Sequence, residues 1–375
     1  MDPGAEIPQG HGADPITGPL CVDDRRLRCS VPQAGPMSKV LDDDNLLIEI
    51  LVRLPPKPSS LPRASAVCKR WGIILCDSVF LKLFRKHHRK PPLLGFFNGF
   101  ANRFAPIMDS PDRIRAACFS MPKRSTPYKD YGEYMGCRHG LAVVINKHER
   151  NTIVWDPLTG QQHTVPFPQG LDDAFMGSLC AWHGAVLCID AEDGHVHGDC
   201  FSSPFKLVLV CTGFSNTDAF CSLYDSASGV WGNIFSTTIT TEISRLRPSI
   251  RCFQFLRMED GGLGLAVLSD YTIQLWERKS NCDGIAGWVL LQKSIPLEGI
   301  FSRRMHPPVC FVGYDEETNV IVFATMVGNF TLQLDSMQLK HIVKRKFICC
   351  DTFYPYTNFY TAGRGVGLKG VDLEL

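Results

Sequence analysis

Between Leu41 and His88 the chain carries three short helical segments too apolar to be completed by their own fold. Read at about 100° per residue, Asp44 to Leu54 places Leu46, Leu47, Ile50, Leu51 and Leu54 on one stripe. Ile48 and Val52 extend that stripe past the far side. The resulting apolar arc is roughly 240° wide, against the ~100° with which a surface helix faces its own core. Asn45, Glu49 and Arg53 share the remaining wet edge. A segment of about fifty residues has too little interior to bury both sides of such a helix. Something outside the segment must cover the rest.

The helix ends are legible. Asp42, Asp43 and Asp44 put carboxylates at a first turn, where free N–H groups and the positive end of the dipole favour them. Pro55-Pro56 stops that helix, since proline has no N–H and restricts the residue before it. Ser59 or Ser60 is placed to cap a second helix, with Pro62 in its first turn. Leu61, Ala64, Val67, Cys68 and Trp71 recur along it at helical spacing. A third starts near Asp77, with Val79, Phe80, Leu83 and Phe84 on one side. Lys82, Arg85, Lys86, Arg89 and Lys90 lie mostly on the other.

The run Leu41-Asp-Asp-Asp-Asn-Leu-Leu-Ile-Glu-Ile-Leu-Val-Arg-Leu-Pro-Pro56, followed by Val67-Cys68-Lys69-Arg70-Trp71, resembles an F-box. The tail Pro91-Pro-Leu-Leu-Gly-Phe-Phe97 is similar to that of a large plant F-box family. The resemblance implies a module that docks on a Skp-type adaptor and is thereby linked to a cullin scaffold in a ubiquitin ligase. It implies adaptor-binding roles, at or just beneath the interface, for Leu41, Leu47, Ile50, Leu51, Pro55, Val67, Cys68 and Trp71. One departure is the opening pair, Leu41-Asp42 where the family has Leu-Pro. Asp42 can still cap the helix, but the contact of that proline is lost and a lower adaptor affinity is expected.

The whole chain sets wider bounds. Its 375 residues suit one large domain plus a small one, and 45% hydrophobic residues supply an ordinary core. With 39 basic and 38 acidic side chains the net charge is +1, so no global field attracts nucleic acid or an anionic membrane. No apolar run approaches the ~20 residues of a membrane span, and Met1-Asp2-Pro3-Gly4 does not read as a secretory signal. The 16 cysteines are scattered, none spaced Cys-x-x-Cys, with Cys349-Cys350 the one adjacent pair. Several, such as Cys188, Cys211 and Cys310, sit in apolar runs where a thiol behaves as a small hydrophobe. A reduced cytoplasmic or nuclear protein with no metal or other cofactor is expected. The sequon Asn329-Phe330-Thr331 is then without consequence. Residues 1–37, rich in Gly and Pro, read as a disordered lead-in, with Arg25-Arg26-Leu27-Arg28 too short for a nuclear signal.

After Pro92 short runs of Val, Ile, Leu and Phe alternate with Gly, Asp-Gly and Asp-Pro, a β pattern. Expected strands are Leu141–Ile145, Thr152–Trp155, Ala185–Ile189, Lys206–Thr212, Gly264–Leu268, Thr272–Trp276, Val309–Gly313, Val320–Thr325 and Phe330–Leu334. A weak repeat runs through them. His139-Gly140-Leu-Ala-Val-Val144 returns 44 residues later as His183-Gly184-Ala-Val-Leu-Cys188. An aromatic-Asp-x-x-Ser/Thr-Gly element appears at Trp155–Gly160 and Tyr224–Gly229, and at Tyr314–Asn319 with Asn for Gly. Each copy reads as a strand entering a tight turn, Asp accepting from backbone N–H and Gly or Asn taking the left-handed position. A period near 44 fits a four-stranded propeller blade, and the span allows roughly six. Radial repetition also protects strand edges. An irregular β-sandwich or two stacked sheets is the alternative.

The family resemblance continues here in Cys137-Arg138-His139-Gly140, Val154-Trp-Asp-Pro-Leu-Thr-Gly160, Leu275-Trp-Glu-Arg-Lys279 and Tyr354–Gly363, and extends from about residue 38 to 367. It implies an α+β, mainly β chain: residues 1–37 as lead-in, 38–90 as a three-helix F-box, and 91–375 as a β-propeller-like, kelch-like domain. Family members have a further strand-rich stretch between their equivalents of Arg247-Pro-Ser-Ile250 and Phe253-Gln-Phe-Leu256. Here the two nearly abut, as if part of one blade were missing. The function implied is the substrate-recognition subunit of an SCF-type (Skp–cullin–F-box) ubiquitin ligase, itself not an enzyme. Its partners would be the Skp-type adaptor, cullin indirectly, and an unidentified target protein. The alternative is a scaffold or adaptor competitor outside the ligase, or a diverged copy without ligase activity.

Other chemistry reads weakly. Gly365-Val-Gly367-Leu-Lys-Gly370 matches G-x-G-x-x-G, but five residues then remain, too few for the helix that would meet a pyrophosphate. Asp190-Ala-Glu-Asp-Gly-His195-Val-His197-Gly-Asp199-Cys200 concentrates metal-ligand types, and two imidazoles two apart on a strand share a face. Asp193-Gly194 nevertheless marks a turn, and an exposed loop is the expectation. The basic face from Lys82 to Lys90 has no interleaved aromatics, which favours solvent or an acidic adaptor segment over nucleic acid. No G-x-S-x-G, H-E-x-x-H or P-loop pattern is present, so no catalytic residue is assigned.

Overall fold

The computed structural model describes residues 42–99, 103–119, 132–147, 149–170, 180–189, 197, 200–213, 218–238, 253–258, 260–269, 272–280, 282, 284, 286–297, 309–325, 328–343 and 352–361. The lead-in at 1–37, Leu41, His195, Cys349-Cys350 and the glycine-rich tail at 365–370 lie outside them. The chain divides into two units, Met1–Leu47 and Ile48–Leu375.

In the first unit Asp43 accepts from the N–H groups of Asn45 (2.8 Å) and Leu46 (3.3 Å), so the N-cap is Asp43 of the acidic run. It opens α1 (Asp44–Val52). In the second unit α1 ends in tightened turns, Arg53 N–H to Ile50 and Leu54 N–H to Leu51, before Pro55. The segment expected to form one second helix forms two, α2 (Ser60–Ser65) and α3 (Lys69–Cys76), because Cys68 takes an extended conformation. Among the described residues four helices therefore stand where three were expected, and Val67 and Cys68 lie between helices. The fourth, α4 (Ser78–His88), is capped by Asp77, whose carboxylate accepts from Val79 and Phe80 N–H.

Among the described residues the β region is five antiparallel sheets in a propeller-like arrangement, one fewer than the roughly six expected. One orders β2 (Arg103–Pro106), β1 (Leu93–Asn98), β20 (Phe353–Thr357), so the last strand closes onto the first. The next runs β3 (Glu133–Arg138), β4 (Leu141–Asn146), β5 (Asn151–Trp155), β6 (Gln162–Pro166). The third comprises β7 (Cys180–Cys188), β8 (Phe205–Gly213) and β9 (Asp218–Asp225), with β10 (Val230–Trp231) and β11 (Phe235–Thr238) dividing the edge of β9. The fourth is β12 (Phe253–Arg257), β13 (Leu263–Ser269), β14 (Thr272–Ser280), β15 (Ala286–Pro296). The fifth is β16 (Cys310–Asp315), β17 (Val320–Thr325), β18 (Gly328–Gln333), β19 (Leu339–Val343).

Inner strands neighbour one another across sheets: β12 beside β16, β16 beside β20, β20 beside β3, β3 beside β7. Among the described residues no comparably extensive contact joins β7 to β12. Between those sheets lies the stretch where the resemblance implied lost strands, and 239–252 are outside the described residues.

Packing between inner strands is close enough to dictate glycine. A Cβ on Gly136 of β3 would sit 1.7 Å from the Gly184 carbonyl of β7, and one on Gly313 of β16 would sit 2.2 Å from the Phe353 carbonyl of β20. The strand closure is aromatic. Phe97 of β1 has Phe104, Tyr134, Trp155 and Tyr356 as ring neighbours at centroid distances of 4.8–5.8 Å, and all are buried.

Candidate functional site

The helices present apolar side chains to solvent. Ile50 is 45% exposed, Val67 62%, Ile73 73% and Val79 63%. Of the residues expected at the adaptor interface, Pro55 and Cys68 are also exposed, and Trp71 is half-buried. Leu47 and Leu51 are buried, in keeping with a place beneath a surface rather than on it. The wide arc of α1 is thus split by face: Leu47 and Leu51, four apart, are buried, while Leu46 and Ile50 beside them are each 45% exposed.

In the second unit the helices are fastened to the β region by specific contacts. Phe84 of α4 meets Phe359, just beyond β20, edge-on with ring centroids 5.9 Å apart. Ser59 does not cap α2 with its side chain. Its Oγ donates to Asp112 Oδ1 at 2.6 Å, and its N–H donates to the same oxygen at 3.1 Å. His88 Nε2 lies 3.1 Å from the Val52 carbonyl, so that nitrogen carries the proton. Burial holds the His88 pKa below its ordinary value.

A cavity of ≈ 190 Å³ opens where three sheets converge, lined by the β3–β4 turn, the β16–β17 turn and β20. Arg138 Nε donates to Glu316 Oε1 at 2.5 Å across two sheets, and His139 Nε2 lies 3.8 Å from the same carboxylate. Asp315 is buried and accepts from the Thr318 N–H at 3.0 Å and from its hydroxyl. Burial outweighs those hydrogen bonds and pushes its pKa up to about 6. Glu317 is pushed up as well, by burial and then by Glu316. Asn358, one residue past β20, faces Gly140 of the β3–β4 turn, and Phe359 follows on Phe84. The cavity and the helices therefore share one end of the sheets.

Residues 43–83 match the F-box domain. A comparison with curated proteins finds no match. Among solved structures, the chain is similar to the WD40 domain of SCAP from fission yeast, with TM-score 0.24 and 9% identity over 57% of this chain and 42% of that one. It is also similar to streptogramin B lyase, with TM-score 0.30 and 10% identity over 70% of this chain and 85% of that one. The chain thus spans less than half the length of the SCAP chain it matches. Likenesses this distant carry no argument about function.

The F-box match covers all four helices up to Leu83, so the exposed apolar residues named above belong to that domain. The β16–β17 turn at the cavity was legible, since Tyr314–Asn319 reads as a turn. Its partners Arg138 and His139 were not, because nothing local in the sequence joins β3 to β16. The Asp190–Cys200 segment is described only at His197 and Cys200, and His197 stacks on His139 with centroids 3.4 Å apart. The expectation that His197 sits in an exposed loop is corrected: it is half-buried against the β3–β4 turn.

Proposed function

We propose that this chain is the substrate-recognition subunit of an SCF-type ubiquitin ligase, of the kind found in the plant F-box family it resembles. The F-box binds a Skp-type adaptor, the adaptor holds cullin, and the propeller holds a target protein. Ubiquitin transfer then takes place on other subunits. This chain contributes proximity, raising the effective concentration of the target's lysines. The observation that supports the reading most directly is the number of exposed apolar side chains within the F-box, Ile50, Val67, Ile73 and Val79 among them. Single exposed apolar residues are ordinary on any protein, but several within one short helical domain are what a partner-binding domain would carry.

Reconstitution tests it. The intact chain is immobilised and offered purified Skp-type adaptor and cullin, separately and together. Cullin retained only in the presence of adaptor is the expected result. Adaptor retained while cullin is excluded would move the chain to a competitor or scaffold outside the ligase, and retention of neither would end the proposal.

A further inference from the structure

The connection from β7 to β8 starts and ends at a paired position, Cys188 opposite Phe205. Three soft-donor side chains gather at its base. Cys188 closes β7, His197 lies within the connection, and Cys200 opens the 3-10 turn Cys200–Ser202. Their ligand atoms, one per residue, all lie within 4.8 Å of one another. His197 Nδ1 is 3.4 Å from Cys200 Sγ. Tetrahedral zinc, with Zn–S about 2.3 Å and Zn–N about 2.0 Å, sets those two atoms roughly 3.5 Å apart. The spacing His197-x-x-Cys200 is that of a short chelate loop.

The surroundings prepare the site. Cys200 is buried in a core cluster with Leu141, Val143, Val186 and Leu207, and Cys188 packs against the same cluster. The His197 ring lies nearly parallel to His139, with 6° between planes. Both thiols and the imidazole are therefore positioned by packing.

We infer that Cys188, His197 and Cys200 form a binding site for a zinc-class divalent cation, which clasps the β7–β8 connection to the blade. Two thiolates and an imidazole select such an ion over hard cations. Three protein ligands leave one tetrahedral position for solvent or for a fourth donor. Binding requires the folded arrangement, so the ion stabilises the connection. Through the His197–His139 stack it also steadies one wall of the Arg138–Glu316 cavity. A rival trio, His139, His197 and Glu317, also has its ligand atoms within 4.8 Å and shares His197. Its nitrogen and oxygen donors lack the thiolates that favour zinc, and the inference commits to the cysteine set.

The test uses the full chain purified under reducing conditions. Zinc is measured by elemental analysis after exhaustive dialysis, and Co²⁺ is then exchanged in and its absorption recorded. Expected are stoichiometric zinc and a tetrahedral, thiolate-bound cobalt spectrum. C188S and H197N lose both, whereas E317Q, which alters the rival trio alone, keeps both. C188S alters a half-buried side chain, and its circular dichroism spectrum should match that of the parent, which separates metal loss from unfolding. The inference is overturned by a folded chain without zinc or a cobalt signal, or by metal retained in C188S and H197N. Loss in E317Q with retention in C188S overturns it in favour of the rival trio. A Cys188–Cys200 disulfide in protein alkylated at isolation overturns it too.

Discussion

At the scale of single residues, burial decides what each side chain is for. Leu51 and Ile50 are adjacent in sequence and equally apolar, yet one is 1% exposed and the other 45%. Leu51→Ala should cost about 2–5 kcal/mol of stability in urea unfolding, through lost burial and a cavity. Ile50→Ala should stay within about 0.5 kcal/mol of the parent. Asp315 gives a second prediction. Its carboxyl is pushed up to about 6, above the ordinary aspartate value near 3.8, so the folded chain holds that proton more tightly than the unfolded chain does. The stabilisation is complete below about pH 4 and is lost as pH rises through about 6. Asp315→Asn stays neutral while keeping an acceptor for Thr318. Between pH 4 and 7 the parent should lose up to about 3 kcal/mol that the variant does not lose. Parallel pH profiles for the two proteins would contradict the assignment.

At the scale of elements, the sequence was most readable where strands are buried on both faces. β4 and β17 are buried along their whole length, and Leu141–Ile145 and Val320–Thr325 were correspondingly clear apolar runs. The outer strand β6 is mostly exposed, and its Gln162-His-Thr-Val-Pro166 carries no such signal. The Asp turns were read correctly. Asp156 and Asp225 each accept from the N–H two residues on, at 2.9 and 3.1 Å, and Gly160 and Gly229 have φ of 76° and 72°. Asn319 takes the same region at 54°. Their equivalence as repeats fails, since two join third and fourth strands and the Tyr314 copy joins a first and second. The His-Gly pair misled similarly. Gly140 turns between β3 and β4 with φ of 78°, while Gly184 lies inside β7, where it allows β3 to approach. Gly136→Ala should therefore lower stability by about 1–3 kcal/mol, because carbonyl and methyl cannot share that space. A melting temperature equal to the parent's would show that the two strands separate at little cost.

At the scale of the whole molecule, the sequence could not show which distant residues meet. His197 and Cys200 stood out in a stretch rich in metal-ligand types, but Cys188, which read as a core thiol, joins them only through the pairing of β7 with β8. The same holds for Arg138 with Glu316 and for Phe84 with Phe359, which join elements far apart in the chain. Phe84 ties α4 to the end of the last blade. Phe84→Ala should cost about 3–5 kcal/mol and expose the segment around 89–92 to protease, with the β domain surviving as the resistant fragment. Digestion indistinguishable from the parent's would contradict that role. Within the second unit α4 is thus tied to the β region while Ile50, Val67, Ile73 and Val79 stay exposed, which the proposed receptor role requires.

The most direct test of that account is the affinity of a purified Skp-type adaptor for the intact chain, measured by calorimetry alongside I50D and V67D variants. The account predicts tight binding by the parent and a loss of at least about 2 kcal/mol in each variant, with melting temperatures unchanged. Equal affinity in all three proteins, or no binding by a folded parent, would contradict it.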